Sequence, residues 1–411
     1  MLTALPHAIR LILAIFLPAN DPGSGELSNS ATQSLRFQLR HEHAVAEGSL
    51  SVFSDVPLSF QAQYFEVPAK NIKTHRPPSA AAYADARLQS MRHARSPVMA
   101  WDVEEVSGPD VSKRKTILEL ATMTHDSYYA DPEAGGKAWY PLHGWNASIP
   151  FGWEPDKDGF RGHIFASDDN STVVISIKGT SAPWIAGGEG PTKKRDKMND
   201  NLLFSCCCAR VGPTWSTVCP CYAGGDKCDQ GCLEESLTGD SLYYQIATNL
   251  YNDVAYMYPE ANIWLTGHSL GGGLASLIGI TFGAPVVAFE VPGDKLAASR
   301  LHLPSPPSIH HVTHVYHTGD PMAMGTCNGV FSVCSLGGFA LETRCHLGQR
   351  ILYDTVTQRG WSVDSRHHSV QYLIDNLFNE DWNPETGEEV PKVDEETDCV
   401  ECYNWEFGDF K

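Results

Sequence analysis

Residues 263–273 read Ile-Trp-Leu-Thr-Gly-His-Ser-Leu-Gly-Gly-Gly and give the strongest indication of the fold class. Its apolar start, residues 263–266, predicts a buried strand, and residues 274–278 after it predict a helix. A Gly-x-Ser-x-Gly motif between a strand and a helix is typical of a nucleophile elbow, a sharp turn that exposes a serine hydroxyl. The flanking residues are small because a Cβ would clash in so tight a turn. Ser269 is therefore the candidate nucleophile, and the alternative is a glycine-rich turn without chemistry.

Strands and helices alternate on both sides of this motif. A hydrophobic residue at every fourth position from 242 to 254 predicts an amphipathic helix over residues 241–257, and a last helix begins near Ser369. Strand–helix alternation implies right-handed crossovers and a mostly parallel sheet covered by helices. Runs of β-branched or apolar residues predict three more strands, at residues 171–178, 286–289 and 312–316.

A serine hydroxyl is a weak nucleophile, so it needs a histidine base that a carboxylate orients. Asp320 fits the carboxylate because residues 314–321 leave a strand, turn at Gly319 and stop at a proline. The carboxyl ends of strands are where open α/β sheets carry their sites. Asp354 and Asp364 lack that setting, and an ordinary Asp-Pro turn is the alternative for Asp320.

Three histidines follow Asp320 and are candidates for the base. His346 lies beside Cys345, in a loop where a disulfide would give it a structural role. His367 and His368 directly precede the last predicted helix, on an approach that can bring an imidazole over the sheet edge. We expect His368 to be the base and keep His367 as the alternative.

Attack on an ester creates an oxyanion, which preorganised donors stabilise by about 3–4 kcal/mol each. The backbone N–H of Leu270, directly after the nucleophile, is the first expected donor. The second is expected from the loop after an earlier strand, where Lys178-Gly-Thr180 ends residues 171–178. Thr180 offers a backbone N–H and a hydroxyl.

The chain of 411 residues is acidic, with 30 Lys and Arg against 49 Asp and Glu and a formal net charge of −19. This charge disfavours a nucleic-acid surface, so we expect no nucleic-acid partner. The length fits one large domain with appendages, or two domains. No stretch approaches the roughly 20 apolar residues of a full span, which excludes a polytopic membrane protein.

Twelve cysteines indicate an oxidising compartment, and seven of them lie within residues 206–232. A zinc site is the alternative, but the cluster has no paired Cys-x-x-Cys units and no well-spaced histidine. We therefore expect disulfides, with a pairing that the sequence does not determine, and no metal or other cofactor.

The N-terminus resembles a targeting segment. Residues 11–17 are apolar, follow Arg10 and end before Pro18, as in a signal peptide or signal anchor. A buried N-terminal helix is the alternative. Asn146 and Asn170 begin Asn-x-Ser/Thr sequons and are candidate glycosylation sites in a lumenal protein.

Taken together, the motifs resemble the class 3 lipases. Residues 267–272 match that family's elbow, Lys178-Gly-Thr180 its oxyanion motif, and Gly319-Asp-Pro321 its acid motif. A more specific resemblance, over roughly residues 50–405, is to the fungal autophagy-related vacuolar lipases. It is carried by three segments, residues 193–208, 263–273 and 325–335.

The resemblance implies an α/β-hydrolase fold with a cysteine-rich insertion in the lid region. It also implies a lipase for membrane phospholipid and triacylglycerol that has a single N-terminal anchor and travels through endosomes and multivesicular bodies to the vacuole. There it would lyse autophagic bodies and intravacuolar vesicles. The expected organisation is a targeting segment (1–20), a lumenal extension (21–110), the lipase domain (111–380) with its insertion (186–238), and an acidic tail (381–411).

The charge suggests an acidic working compartment. At neutral pH a chain of net charge −19 is repelled by anionic phospholipid. Protonation of carboxylates and histidines in acid removes that repulsion, so activity on anionic vesicles is expected to peak between roughly pH 5 and 6.5. Two other functions stay open: a secreted cutinase- or feruloyl-esterase-like esterase, and a catalytically dead hydrolase fold that binds membranes.

Overall fold

The computed structural model describes residues 33–45, 51–55, 64–93, 98–129, 159–180, 193–207, 219–239 and 242–410. The chain from Thr32 onward forms one compact unit. The targeting segment 1–20, the sequon at Asn146 and parts of the insertion 186–238 lie outside the described residues. The domain boundaries given above stay predictions.

The described strands form two sheets. Within the described ranges, a sheet of eleven strands has the order β13-β12-β11-β10-β9-β6-β5-β1-β3-β4, with β2 paired to β1, and a small sheet has the order β14-β8-β7. The strands are β1 (Gln33–Val45), β2 (Ser51–Asp55), β3 (Phe65–Arg76), β4 (Asp102–Pro109), β5 (Arg161–Ser167), β6 (Thr172–Ile177), β7 (Tyr222–Gly224), β8 (Lys227–Asp229), β9 (Asn262–His268), β10 (Val286–Phe289), β11 (Val312–His317), β12 (Gln349–Tyr353), β13 (Asp394–Glu395) and β14 (Glu406–Gly408).

Helices cover the large sheet. A 3₁₀ turn, Ser365–His368, directly precedes the last of them. The described helices are α1 (Ala80–His93), α2 (Arg114–Asp126), α3 (Lys193–Phe204), α4 (Gln230–Ser236), α5 (Tyr243–Met257), α6 (Leu270–Phe282), α7 (Lys295–Arg300), α8 (Val333–Gly337), α9 (Thr355–Arg359) and α10 (Val370–Asn376).

The parallel part of the sheet is the part that the sequence predicts. β6, β9, β10, β11 and β12 are parallel neighbours, and the first four correspond to the predicted strands. The α/β-hydrolase fold class is confirmed. Beyond β6 the sheet continues through β5, β1, β3 and β4 in antiparallel pairs. β1, β2, β3 and β4 of the N-terminal region therefore extend the same sheet.

Both faces of the parallel part of the sheet are buried. Val173, Ile175 and Ile177 of β6 belong to one apolar core, which includes α6, whereas Val174 belongs to a second core with α2 and α10. A strand that is covered on both faces has a continuous apolar sequence rather than an alternating one. This explains why the residues around β6 predict a strand so clearly. Within the described ranges, no helix has the length and hydropathy of a membrane span.

Disulfides hold the cysteine-rich insertion and the acidic tail. Each described cysteine is in a disulfide, which confirms the disulfide prediction over zinc. Two bonds tie the tail to the rest of the chain, and another closes a short loop after β11. The described pairs are Cys206–Cys402, Cys207–Cys228, Cys221–Cys232, Cys327–Cys334 and Cys345–Cys399.

Candidate active site

Ser269 lies in a strained turn between β9 and α6. Its φ is 54° and its ψ is −124°, a conformation that is costly for a residue with a Cβ. The motif glycines allow the close packing: a Cβ on Gly271 would overlap the carbonyl oxygen of Ile177, and one on Gly267 would lie 2.5 Å from the carbonyl carbon of Gly271. The Ser269 N–H donates to the Phe289 carbonyl at 2.9 Å. The neighbouring strands on both sides therefore fix the turn.

Ser269, His368 and Asp320 form a continuous hydrogen-bonded chain. His368 Nε2 lies 2.9 Å from Ser269 Oγ, and His368 Nδ1 lies 2.6 Å from Asp320 Oδ2. All three residues are buried, and Asp320 also accepts a bond from the Met322 N–H at 2.8 Å. Burial alone would raise the pKa of Asp320, but the adjacent His368 imidazole lowers that pKa below its usual range. The ionised carboxylate therefore orients the imidazole toward the serine.

The two adjacent histidines have different surroundings. The ring of His367 stacks on Tyr372, with 4.7 Å between the ring centroids. Its backbone carbonyl oxygen lies 3.2 Å from His317 Nε2. His368, one residue later, is the histidine that reaches Ser269. This arrangement favours His368 over His367 as the base.

A second buried carboxyl, Glu290, lies beside this chain and has no counterpart in the sequence-based expectations. It directly follows β10, with a φ of 46°, and one of its oxygens lies within 4.8 Å of Asp320 and His368 atoms. Neither Glu290 carboxyl oxygen accepts a hydrogen bond of normal geometry. Burial, together with the charge of Asp320, raises the pKa of Glu290 well above its usual range. Glu290 is therefore a neutral acid whose O–H is available to Asp320.

Glu290, Asp320 and His368 are also the one group, among the described residues, whose atoms are spaced for a metal ion. The hydrogen bond between His368 Nδ1 and Asp320 already uses the ring nitrogen on that side. The group is therefore part of the hydrogen-bonded chain around His368.

Another hydrogen-bonded chain links the elbow to the backbone of His368 and to the end of β6. His268 Nε2 lies 2.7 Å from the His368 carbonyl oxygen, and the Tyr128 hydroxyl lies 2.6 Å from His268 Nδ1. The Gly179 N–H donates to the Tyr128 hydroxyl. Burial, reinforced by His368, lowers the pKa of His268 well below its usual range, so this ring is neutral. Tyr128 lies two residues after the end of α2, without any motif around it, so the sequence predicts no role for it.

The expected oxyanion donors lie on both sides of the elbow. Leu270 begins α6 directly after Ser269, and Thr180 follows the end of β6, whose last carbonyl packs against Gly271. The Thr180 hydroxyl donates to Asp200 of α3 at 2.5 Å. The hydroxyl is thus directed at Asp200 rather than offered to an oxyanion, which leaves the backbone N–H for that role. Burial raises the pKa of Asp200 to about 8.

Comparisons with known proteins identify relatives of this chain. The family model described as Lipase (class 3) matches residues 219–284. Two fungal proteins are both described as "Putative lipase ATG15". The protein of Cryptococcus neoformans var. neoformans serotype D is 48% identical over 378 residues, covering 77% of this chain and 72% of the relative. The protein of Mycosarcoma maydis is 44% identical over 371 residues, covering 86% and 70%. Among solved structures, the Lip2 lipase of Yarrowia lipolytica is 15% identical with a TM-score of 0.27, covering 58% of this chain and 78% of that one.

Proposed function

The chain belongs to the ATG15 family of fungal lipases and is a carboxylic ester hydrolase, and on this premise we propose that it hydrolyses ester bonds of membrane phospholipids and triacylglycerol. The observation that carries the proposal is the hydrogen-bonded chain Ser269–His368–Asp320 on a strained elbow. A serine hydroxyl bonded to an imidazole that is itself bonded to a carboxylate is the arrangement that acyl transfer requires.

The proposed reaction uses one proton relay twice. His368 Nε2 takes the Ser269 hydroxyl proton while Ser269 Oγ attacks the ester carbonyl carbon. The backbone N–H groups of Leu270 and Thr180 stabilise the resulting oxyanion. His368 then gives the proton to the leaving alcohol oxygen, and Ser269 is left as the acyl ester. A water molecule, deprotonated by the same imidazole, attacks this ester, and His368 returns that proton to Ser269 Oγ as the fatty acid leaves.

We further propose that the enzyme works in the lumen of an acidic compartment, the vacuole, which it reaches through endosomes. The five described disulfides support a secretory route, because such bonds persist in oxidising compartments. Asn170 is exposed after β5 and is available for glycosylation; Asn146 is the second proposed site. Autophagic bodies and other intravacuolar vesicles are the proposed substrates in the cell.

The two alternatives are less well supported. Membership of the ATG15 family and the disulfide-bonded insertion disfavour a secreted cutinase- or feruloyl-esterase-like enzyme. The bond between His368 and Ser269 disfavours a dead hydrolase fold that only binds membranes.

The test compares wild type with Ser269→Ala on mixed phospholipid vesicles, with products identified by mass. Loss of the nucleophile typically costs about a million-fold in turnover. Ser299→Ala, an exposed serine in α7, is the matched control. A fluorophosphonate should label wild type and the control but not Ser269→Ala. Equal labelling of Ser269→Ala, or vesicles left intact by wild type, would contradict the proposal.

A further inference from the structure

The segment after Asp320 exposes apolar side chains in an acidic protein. Residues 321–341 contain no charged residue, although 19% of the chain is charged. Four apolar side chains in this segment are more than half exposed: Val330 (52%), Phe331 (85%), Val333 (53%) and Leu336 (62%). Residues 327–336 are called the apolar loop below. Four neighbouring apolar side chains left in water usually indicate a surface that meets an apolar partner.

The apolar loop is held in a fixed shape. The Cys327–Cys334 disulfide closes it, and the Ser332 N–H donates to the Gly329 carbonyl at 3.1 Å. The Asn328 side-chain amide donates to the Gly325 carbonyl at 2.9 Å, and the Ser332 hydroxyl donates to the Cys327 carbonyl at 3.2 Å. Polar groups that are bonded within the loop need not keep their water, which lowers the cost of entering an apolar phase.

The loop is tied at both ends to the candidate active site. At its start, the Cys327 N–H donates to the carbonyl of Pro321, the residue directly after Asp320. At its end, Asn201 of α3 donates through Nδ2 to the Gly338 carbonyl at 3.0 Å. The residue before Asn201 is Asp200, which accepts the Thr180 hydroxyl. The loop therefore has a fixed position relative to the proposed triad and oxyanion site.

Basic residues lie beside the loop. Residues 193–197, at the start of α3, contain four Lys or Arg residues in a chain of net charge −19. Lys197 Nζ donates to the Gly337 carbonyl at 2.6 Å, directly after the loop, and Lys194 is exposed. Exposed apolar side chains next to lysine and arginine are typical of protein surfaces that dock on anionic phospholipid.

We propose that the apolar loop and the basic start of α3 together dock the enzyme on a bilayer that contains anionic phospholipid. Val330, Phe331, Val333 and Leu336 insert among the lipids, and Lys194, Arg195 and Lys197 contact the phosphates. Docking through this surface holds the active site at a constant distance from the membrane. The inference rests on the proposed function, because it assumes that the substrate is a membrane lipid.

The test measures vesicle binding in a Ser269→Ala background, so that no lipid is consumed. Vesicles of phosphatidylcholine with phosphatidylserine are floated with the parent, with Phe331→Ser and with Leu336→Ser. Tyr256→Ser, in α5, is the control because Tyr256 is 88% exposed, about as much as Phe331. Each loop substitution is expected to weaken binding about tenfold, since a large apolar side chain no longer leaves water. The control should bind like the parent.

The same substitutions in the active enzyme separate docking from catalysis. Phe331→Ser and Leu336→Ser should hydrolyse a soluble short-chain ester at the wild-type rate and vesicle lipid more slowly. Unchanged vesicle binding by both variants would overturn the inference, as would equal losses on soluble ester and vesicles or an equal loss for Tyr256→Ser. Failure of the proposed function is seen separately, as undiminished labelling or hydrolysis by Ser269→Ala.

Discussion

His268 binds the backbone of His368: His268 Nε2 lies 2.7 Å from the His368 carbonyl oxygen. The residue before the proposed nucleophile thus holds the main chain of the proposed base. Burial keeps His268 neutral, so its ring has one N–H, which donates to this carbonyl, and one unprotonated nitrogen. The unprotonated Nδ1 accepts a hydrogen bond from the Tyr128 hydroxyl. Tyr128 therefore positions the base without touching it.

Tyr128→Phe should lower the turnover of a soluble ester about tenfold and leave its KM unchanged. Removal of the hydroxyl leaves a buried imidazole nitrogen without a donor, and a buried hydrogen bond contributes about 1 kcal/mol or somewhat more. Steady-state kinetics measure this split between kcat and KM.

Tyr129→Phe is the control, since Tyr129 is the adjacent tyrosine and is only partly buried. Wild-type turnover in Tyr128→Phe would show that the chain through His268 does not position His368. An equal loss in Tyr129→Phe would mean that any change at this end of α2 disturbs the enzyme.

Glu290→Gln should retain the kcat/KM of wild type, whereas Glu290→Leu should lose tenfold or more. Burial and the charge of Asp320 raise the pKa of Glu290 well above its usual range, so the wild-type side chain is a neutral donor, and glutamine reproduces it. Leucine removes the donor, and hydrogen bonds to charged groups contribute about 1.5–3 kcal/mol.

The comparison is made over the pH range of activity, with the melting temperature measured in parallel. Glutamine cannot ionise, so the Glu290→Gln variant should not lose activity at a lower alkaline pH than wild type does. Equal losses in both variants would show that Glu290 acts as an anion. A lower melting temperature for Glu290→Leu with unchanged kcat/KM would assign it a purely structural role.

The sequence predicts the parallel half of the sheet because both of its faces are buried. β6 contains three successive apolar residues, 173–175, and ends in a fourth, Ile177. In α5 the apolar residues 246, 250 and 254 recur at every fourth position. The antiparallel half is different. β4 exposes residues 102–105, and the segment before residue 110 alternates apolar and polar patches with prolines. Local pattern does not reveal that these strands continue the same sheet, since their pairing depends on distant residues.

The sequence identifies two kinds of site residue. One kind lies inside a motif, and the other follows the end of a predicted strand. Ser269 has a motif, and Asp320 has a strand and a turn before it. His367 and His368 are neighbours, and only the 3₁₀ turn over residues 365–368 decides which one faces Ser269. Glu290 has no motif. Its proximity to Asp320 follows from the parallel pairing of β10 with β11, which the sequence does not encode locally.

Asp200→Asn should make the stability of the fold less sensitive to pH. Burial raises the pKa of Asp200 from 3.8 to about 8 in the folded chain, so the folded state binds a proton that the unfolded state releases. Wild type is therefore destabilised as the pH rises from about 4 toward 8, by up to about 1.4 kcal/mol per pH unit. Asparagine removes this titration.

Urea unfolding at about pH 5 and about pH 8 measures the effect. The free energy of unfolding should fall less between the two pH values for Asp200→Asn than for wild type. Asp102→Asn, at an exposed position, controls for the removal of one negative charge. An equal fall in the free energy of unfolding between the two pH values for wild type and Asp200→Asn would show that Asp200 is already ionised in acid.

His346→Gln should destabilise the protein more in acid than at alkaline pH. His346 follows Cys345, which binds the tail through Cys399, and both of its ring nitrogens face acceptors. Nε2 lies 2.8 Å from the Val291 carbonyl oxygen, and Nδ1 lies 3.4 Å from Glu396. The doubly protonated imidazolium satisfies both. Burial is the largest single influence and opposes that form, but the hydrogen bond and charge of Glu396, the charge of Asp294 and the Val291 carbonyl together raise the pKa of His346.

The direction of this pH dependence follows from the linkage between proton binding and folding. A histidine whose pKa is raised in the folded state stabilises fully below its unfolded value, near 6.5, and this contribution is lost as the pH rises through the folded value. The difference in melting temperature between wild type and His346→Gln should therefore be largest at about pH 5 and should shrink toward pH 8. Glutamine is uncharged at every pH, so its own contribution to stability does not titrate. A difference that stays constant or grows with pH would mean that His346 is neutral in the folded protein, and that Glu396 holds the tail through Arg350 and Tyr316 instead.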